Sequence, residues 1–350
     1  MKRIYTTTLF LLVSLSVIAQ DERYTLEEAT QARQQKFALY FDTRFDLDVK
    51  ISTDTNPTQA GFAGKYLQVY FDGQINEHFS YKFRQRLNVP TSANPTIFGA
   101  TDMAWIAYHI NKSFSFTAGK QVVAIGGFEY DEAPIDVYYW SDFWNNVVCY
   151  QLGLTFTYSN TKNTFMAQFV NSPFSKKAFE NIWAYNLMWF GNYKWFHTAY
   201  SINLIEYEKN KYINYIALGN RFTFNHFSLD IDIMNRAGSA KEFFFKDYTL
   251  IGKATYQINS QWKVFAKGGY DRNNSQTHIP QHNEPNFDLN LAIDRFVLPG
   301  TSYAFYGAGI EFFPIKNKET LRIHLAWHSN NNRIQYQNLE LGVRWKIKAI

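Results

Sequence analysis

The stretch Val148-Cys149-Tyr150-Gln151-Leu152-Gly153-Leu154-Thr155-Phe156-Thr157-Tyr158 decides the fold. Val148, Tyr150, Leu152, Leu154, Phe156 and Tyr158 share one face, and Cys149, Gln151, Gly153, Thr155 and Thr157 share the other. A period of two marks a strand with one apolar face and one wet face. Soluble strands run to about 5–6 residues, whereas a tilted strand that crosses a bilayer needs about 9–11. This run has the second length. So does Leu339, Leu341, Val343, Trp345 and Ile347 against Glu340, Gly342, Arg344, Lys346 and Lys348, and so does Phe227, Leu229, Ile231 and Ile233 against Ser228, Asp230, Asp232 and Met234.

Comparable runs occur at 36–50, 63–75, 78–90, 101–111, 112–124, 147–159, 162–171, 181–191, 194–206, 211–223, 226–235, 247–258, 261–271, 301–313, 319–330 and 336–348. They number sixteen, an even count. Asn76-Glu77, Asn111-Lys112, Asn160-Thr161, Gly191-Asn192, Asn225 and Asn259-Ser260 mark tight turns, while 51–62, 91–100, 125–146, 172–180, 236–246 and 272–300 are longer. Short turns opposite long loops are the rhythm of an outer-membrane barrel. The predicted fold is therefore all-β: a transmembrane antiparallel β-barrel of about 16 strands, closed because an unpaired backbone group in hydrocarbon costs several kcal/mol. Trp183 and Trp189, six residues apart on one face, stand roughly 20 Å apart and suit interfacial girdles.

Composition agrees. Aromatic residues make up 19% of the 350 and charged residues 19%, with mean hydropathy −0.34. Disordered chains are poor in aromatics, and helical membrane proteins need runs of about 20 apolar residues. The longest apolar run, Leu9 to Ile18, is too short to span; behind Lys2 and Arg3 and before Ala19 it reads as a signal peptide over 1–19, for Sec export. Its removal takes two basic residues and no acidic one. Residues 20–35 are expected to be a short periplasmic segment, with Thr25 and Glu28 as a capping box, and 36–350 the outer-membrane barrel. A single cysteine, Cys149, excludes an internal disulfide.

Alternation puts Lys82, Arg84 and Arg86 on one face of the third strand, opposite Phe79, Tyr81 and Phe83. It also puts Arg44, Lys65, Arg221, Lys253, Lys263, Lys267, Arg322, Arg344 and Lys346 inside. Rows of lumen cations attract anions and offer them charge-assisted hydrogen bonds. Ten inward carboxylates share that wall: Asp42, Asp46, Asp48, Asp72, Asp102, Asp230, Asp232, Asp271, Glu311 and Glu340. A lumen of this width needs narrowing. The third long loop, Ile125 to Asn146, glycine-hinged and aromatic, is expected to fold into the pore as a constriction, where Glu129, Asp131, Glu132 and Asp136 would set the local field. His324 and His328 share a lumen face and read as solvated. His278, His282 and Glu284 have no fixed helical face to hold a metal, and Cys149 has no base at a telling spacing. No metal, cofactor, nucleic-acid or catalytic site is expected.

The stretch Thr117-Ala118-Gly119-Lys120-Gln121-Val122-Val123-Ala124-Ile125-Gly126-Gly127-Phe128-Glu129-Tyr130 resembles the core of the phosphate-selective porin O and P family, in which a glycine-lysine pair ending a strand leads into a glycine-bearing loop. The resemblance implies a 16-stranded, trimeric outer-membrane channel with that loop in the pore. It also implies that Lys82, Arg84 and Arg86 correspond to the basic residues that guide anions. Two features depart from the family pattern: Ala124 stands about where a proline is usual, and the loop carries acids where a phosphate filter would carry lysines.

The expected function is passive diffusion of small hydrophilic or anionic solutes, without enzymatic activity. The alternative is a non-conducting structural or secretion-accessory barrel whose inner charges neutralise each other. Expected partners are outer-membrane lipid, the barrel-assembly machinery, which would read a C-terminus with Trp345 and Ile347 on the lipid face, and two further copies of the chain.

Overall fold

The computed structural model describes residues 36–52, 58–88, 97–175, 180–238, 247–274, 300–331 and 336–349. The signal peptide, the segment 20–35 and the His278, His282, Glu284 set lie outside them. Sixteen strands follow in chain order: β1 (Ala38–Ser52), β2 (Gln59–Gln74), β3 (Phe79–Arg86), β4 (Thr101–His109), β5 (Phe114–Val122), β6 (Tyr150–Ser159), β7 (Asn163–Asn171) and β8 (Trp183–Tyr193). The second half comprises β9 (Phe196–Glu208), β10 (Lys211–Phe224), β11 (Phe227–Gly238), β12 (Asp247–Gln257), β13 (Trp262–Asn273), β14 (Thr301–Phe312), β15 (Leu321–Asn330) and β16 (Tyr336–Lys348). Each pairs antiparallel with its chain neighbours, and β16 pairs with β1 to close the barrel. The predicted strand count and closure are both observed.

The two faces follow the alternation. On β1, Phe41 and Phe45 are exposed while Asp42, Arg44 and Asp46 are buried, so the apolar residues face outward and the charges inward. Leu187 and Ile202, opposite each other on β8 and β9, are each 60% exposed, as lipid-facing side chains must be without lipid.

One end of the barrel carries tight turns built by a repeated device. Asn76, Asn111, Asn160 and Asn259 each accept, through Oδ1, the backbone N–H groups two and three residues on. The side chain thus stands in for a turn carbonyl. One predicted turn moves: β8 continues past Gly191-Asn192 to Tyr193, and the reversal falls at Lys194-Trp195, Lys194 having φ 46. Trp189 Nε1 and Tyr193 Oη both donate to Asn163 Oδ1, at 2.9 and 2.6 Å, which keeps the outer face in register for one more step. At the opposite end loops are not uniformly long. β9 and β10 join there through Lys209-Asn210 alone, with Asn210 at φ 62. Two strand bounds shift inward as well: β3 stops at Arg86 and β6 starts at Tyr150.

Residues between β5 and β6 carry the only long described connection. It holds two short helices, α1 (Phe128–Asp131) and α2 (Asp142–Asn146), with a 3-10 turn at Pro134–Asp136 between them.

Candidate functional site

This connection turns into the barrel and runs round its inner wall. Its start is held by uncharged groups. Ala124 N donates to Gln168 Oε1 at 2.8 Å, Asn203 Nδ2 donates to Ala124 O at 2.7 Å, and Gly126 N donates to Ser201 Oγ at 2.8 Å. Two glycines permit the approach. A Cβ on Gly126 would lie 2.5 Å from the Ala199 carbonyl oxygen, and Gly127 has φ 108, which only glycine adopts without strain. The wall answers with Gly219, whose own Cβ would come within 2.7 Å of Gly127 Cα. Asp232 then accepts from the Phe128 and Glu129 backbone N–H groups at 2.9 and 2.7 Å. Behind this stretch Val123, Ile125, Phe143 and Val147 pack with Val170, Ile205, Ile213 and Tyr215, so the largest apolar cluster of the barrel lies inside it.

Further round, the loop is held by charge. Glu129 pairs with Lys267 at 2.7 Å and accepts from Ser141, the residue that caps α2. Glu132 pairs with Lys253. Asp136 pairs with both Arg322, at 2.6 Å, and Arg344, at 2.7 Å. The Ile135 and Val137 carbonyls accept from Arg44 Nη1 at 3.3 and 2.8 Å. The register explains this convergence: Arg44 lies opposite Arg344, and Arg344 opposite Arg322, so three arginines stand in one row across β1, β16 and β15. Like charges directly opposite destabilise a sheet. Wall carboxylates offset the row, Asp46 and Glu340 on Arg44, Asp42 on Arg344 and Glu311 on Arg322. The loop adds a further carboxylate, Asp136, shared by Arg322 and Arg344.

The twelve basic residues expected inside are engaged with partners. Arg84 and Arg86 both clamp Asp102, at 3.1 and 2.9 Å, and Arg84 also reaches the Tyr150 hydroxyl. Lys82 lies opposite Asp72. Lys263 pairs with Glu311 at 3.2 Å. Of the loop acids, Glu129, Glu132 and Asp136 point to wall cations and so attach the loop; Asp131 borders free space beside Glu132. His324 is buried, whereas His328 is partly buried and borders free space. They pack beneath the loop, His324 against Tyr138 and His328 against Tyr139, each pair 4.8 Å between ring centres, and His324 bonds Asp46 at 2.9 Å. The carboxylates of Asp46, Asp48 and Glu340 converge, yet Arg44 and Lys65 already neutralise them.

Sequence reasoning missed Arg236. Fully buried, it donates to Thr249, Tyr248 O and Arg272 O beside Asp271, which accepts from the loop at Asp142 N. Its signal was present: the alternation of Asp230, Asp232 and Met234 runs one step further, onto the end of β11. Lys120 of the glycine-lysine pair faces outward instead, donating to Phe98 O at 3.0 Å.

Among the described residues, free space includes three regions. A vestibule lies at the loop end, bordered by Lys50, Lys65, Tyr139 and Trp140. A basin at the turn end is bordered by Arg221, Lys253, Lys263, Lys267, Arg322 and Arg344. A cavity runs between the loop and the wall of β3 to β8. Cys149 borders this cavity, and burial pushes its thiol up to about 12. The thiol therefore stays neutral at pH 8, and maleimide should label the folded barrel on the order of a thousandfold more slowly than a free cysteine, with the rate rising as pH rises. Labelling of the folded protein at the free-cysteine rate would contradict this burial.

Over β1 to β8 the sequence pattern is similar to that of one known family. Residues 37–194 match the phosphate-selective porin O and P family. The resemblance seen at 117–130 thus extends over the first half of the barrel. No curated protein matches the chain. Among solved structures, an anion-selective porin from Comamonas acidovorans aligns with TM-score 0.60 at 7% identity, over 89% of this chain and 99% of that one. OmpF of Salmonella typhi, in complex with daunomycin, aligns with TM-score 0.61 at 12% identity, over 90% and 98%. The trimer form of OmpT, an outer membrane protein of Vibrio cholerae, aligns with TM-score 0.56 at 9% identity, over 89% and 100%. At these identities the likeness is one of fold. Family match and barrel together support an outer-membrane channel.

Proposed function

We propose that the protein is a passive porin whose inward loop sets the size limit for small hydrophilic solutes, with at most a weak preference for anions. The observation that carries this reading is the loop's attachment: it is pinned along the wall from β7 round to β1 and leaves the β3 to β8 side of the lumen open. A solute passes between fixed side chains with no covalent step, and weak successive contacts let it leave as readily as it enters. The engaged cations limit charge selectivity, because each carries its carboxylate with it. Export by the Sec route, assembly by the barrel machinery and a homotrimeric state complete the proposal; the trimer form of the Vibrio cholerae protein supports the last.

A second reading, the non-conducting accessory barrel, is favoured by the apolar cluster and ion pairs that fill much of the lumen. Planar-bilayer recording of the refolded protein separates the two. Stepwise, lasting conductance is expected. Folded, inserted barrels that carry no current would overturn the porin reading.

A further inference from the structure

The lumen is divided by chemistry. The loop covers the charged side, and the wall it leaves open is neutral at its centre. Every inward position of β5 and β6, from Ser115 and Thr117 to Thr155, Thr157 and Ser159, is a hydroxyl, an amide or a glycine. Two apolar strips flank these strands: Met103, Trp105 and Ala107 on β4, and Met166, Met188 and Phe190 on β7 and β8. Trp105 has a particular setting. The inward row that contains it reads Lys82, Trp105, Gly119, Gly153 and Val170 across β3 to β7, so two positions without side chains follow the indole. Gly119 has φ 126, and a Cβ there would lie 2.8 Å from the Trp105 Cα.

We infer that this open passage is a binding path for neutral, polyhydroxylated solutes with one apolar ring face: mono- and oligosaccharides. The inference rests on the porin reading and names the solute class of the same channel. A pyranose ring presents C–H groups on its faces and hydroxyls round its edge. An indole accepts the apolar face. Threonine and serine hydroxyls each donate and accept, which matches sugar hydroxyls and offers no net charge to an ion. Phosphate would find its cations already held by carboxylates and would lose hydration against the two apolar strips.

The test is current block in planar bilayers, with maltotriose as the probe and inorganic phosphate as the comparison. Maltotriose at millimolar concentration is expected to reduce the open-channel current saturably, and phosphate to leave it unchanged. Trp105→Ala should raise the half-blocking concentration on the order of tenfold, while Trp105→Phe, which keeps an aromatic face, should raise it far less. The heat-modifiable mobility of each barrel reports its folding. Should Trp105→Ala not fold, the paired Thr117→Val and Thr157→Val variant carries the test, since it removes hydroxyls at nearly constant shape and should also weaken block. A conducting channel blocked by phosphate and not by maltotriose overturns the inference and leaves the porin reading standing. So does equal block of wild type and Trp105→Ala. A folded barrel with no current overturns the porin reading, and this inference with it.

Discussion

Replacing two loop carboxylates, Glu129→Gln with Asp136→Asn, is expected to enlarge the single-channel conductance, add flicker noise and admit larger solutes, while the barrel still folds. Asp136 is the shared partner of Arg322 and Arg344, and Glu129 holds Lys267 and Ser141. Hydrogen bonds to charged groups contribute about 1.5–3 kcal/mol each, so losing these shifts the attached-to-detached equilibrium by several factors of ten. The wall survives because each arginine of the β1, β16 and β15 row keeps a carboxylate of its own in the sheet. What the loop retains is its neutral anchor at Ala124 and Gly126 and its apolar cluster. Detachment should therefore be partial and reversible, seen as fluctuation between two current levels. Liposome swelling with a series of sugars of rising size checks the same variant: its cutoff should rise above that of wild type. An unchanged cutoff and unchanged conductance would mean that the loop does not set the limit.

The second large effect is expected from removing an acid rather than a base. Asp102 is buried between Arg84 and Arg86, close to Tyr150, which borders the open cavity. Asp102→Asn leaves two guanidinium groups without their carboxylate at the loop end of the passage. Under a KCl gradient the reversal potential should move towards chloride, with the permeability ratio changing on the order of twofold to threefold, the factor that one kT of added potential gives. Thermal stability should fall in the same variant, since breaking a buried pair costs about 3–5 kcal/mol. By contrast, the Lys82, Arg84, Arg86 triple alanine variant strands Asp102 in the wall. Its main effect should be on folding, with a shift towards cations in whatever fraction folds. A reversal potential identical in Asp102→Asn and wild type would show that this pair does not face the permeating ions.

Much of the fold is legible in the sequence for a physical reason: lipid outside and water inside force a strict period of two, and Phe41, Asp42, Arg44, Phe45 and Asp46 already sort themselves. The turns are legible where a side chain makes them, as at Asn76 and Asn160. They are not where outward packing extends a strand, as at Trp189 and Tyr193. Alternation gives inside or outside and says nothing of register. Arg44 and Arg344 are separated by most of the chain, so their row, and with it the role of Asp136 as counter-charge, appears only once the barrel closes. The same lack of register makes the inward lysines and arginines look like a free basic lining. The neutral inner faces of β5 and β6 were visible as Thr, Ser, Gln and Gly, yet their meaning depends on which side of the lumen the loop covers.

The central claim is that a loop pinned by ion pairs to the charged wall narrows a conducting channel. Single-channel recording of wild type beside the Glu129→Gln, Asp136→Asn variant, both refolded and checked for heat-modifiable mobility, tests it most directly. Stepwise openings in wild type, and larger, noisier openings in the variant, are the result expected. Equal steps in the two proteins, or folded wild-type barrels without any current, would contradict it.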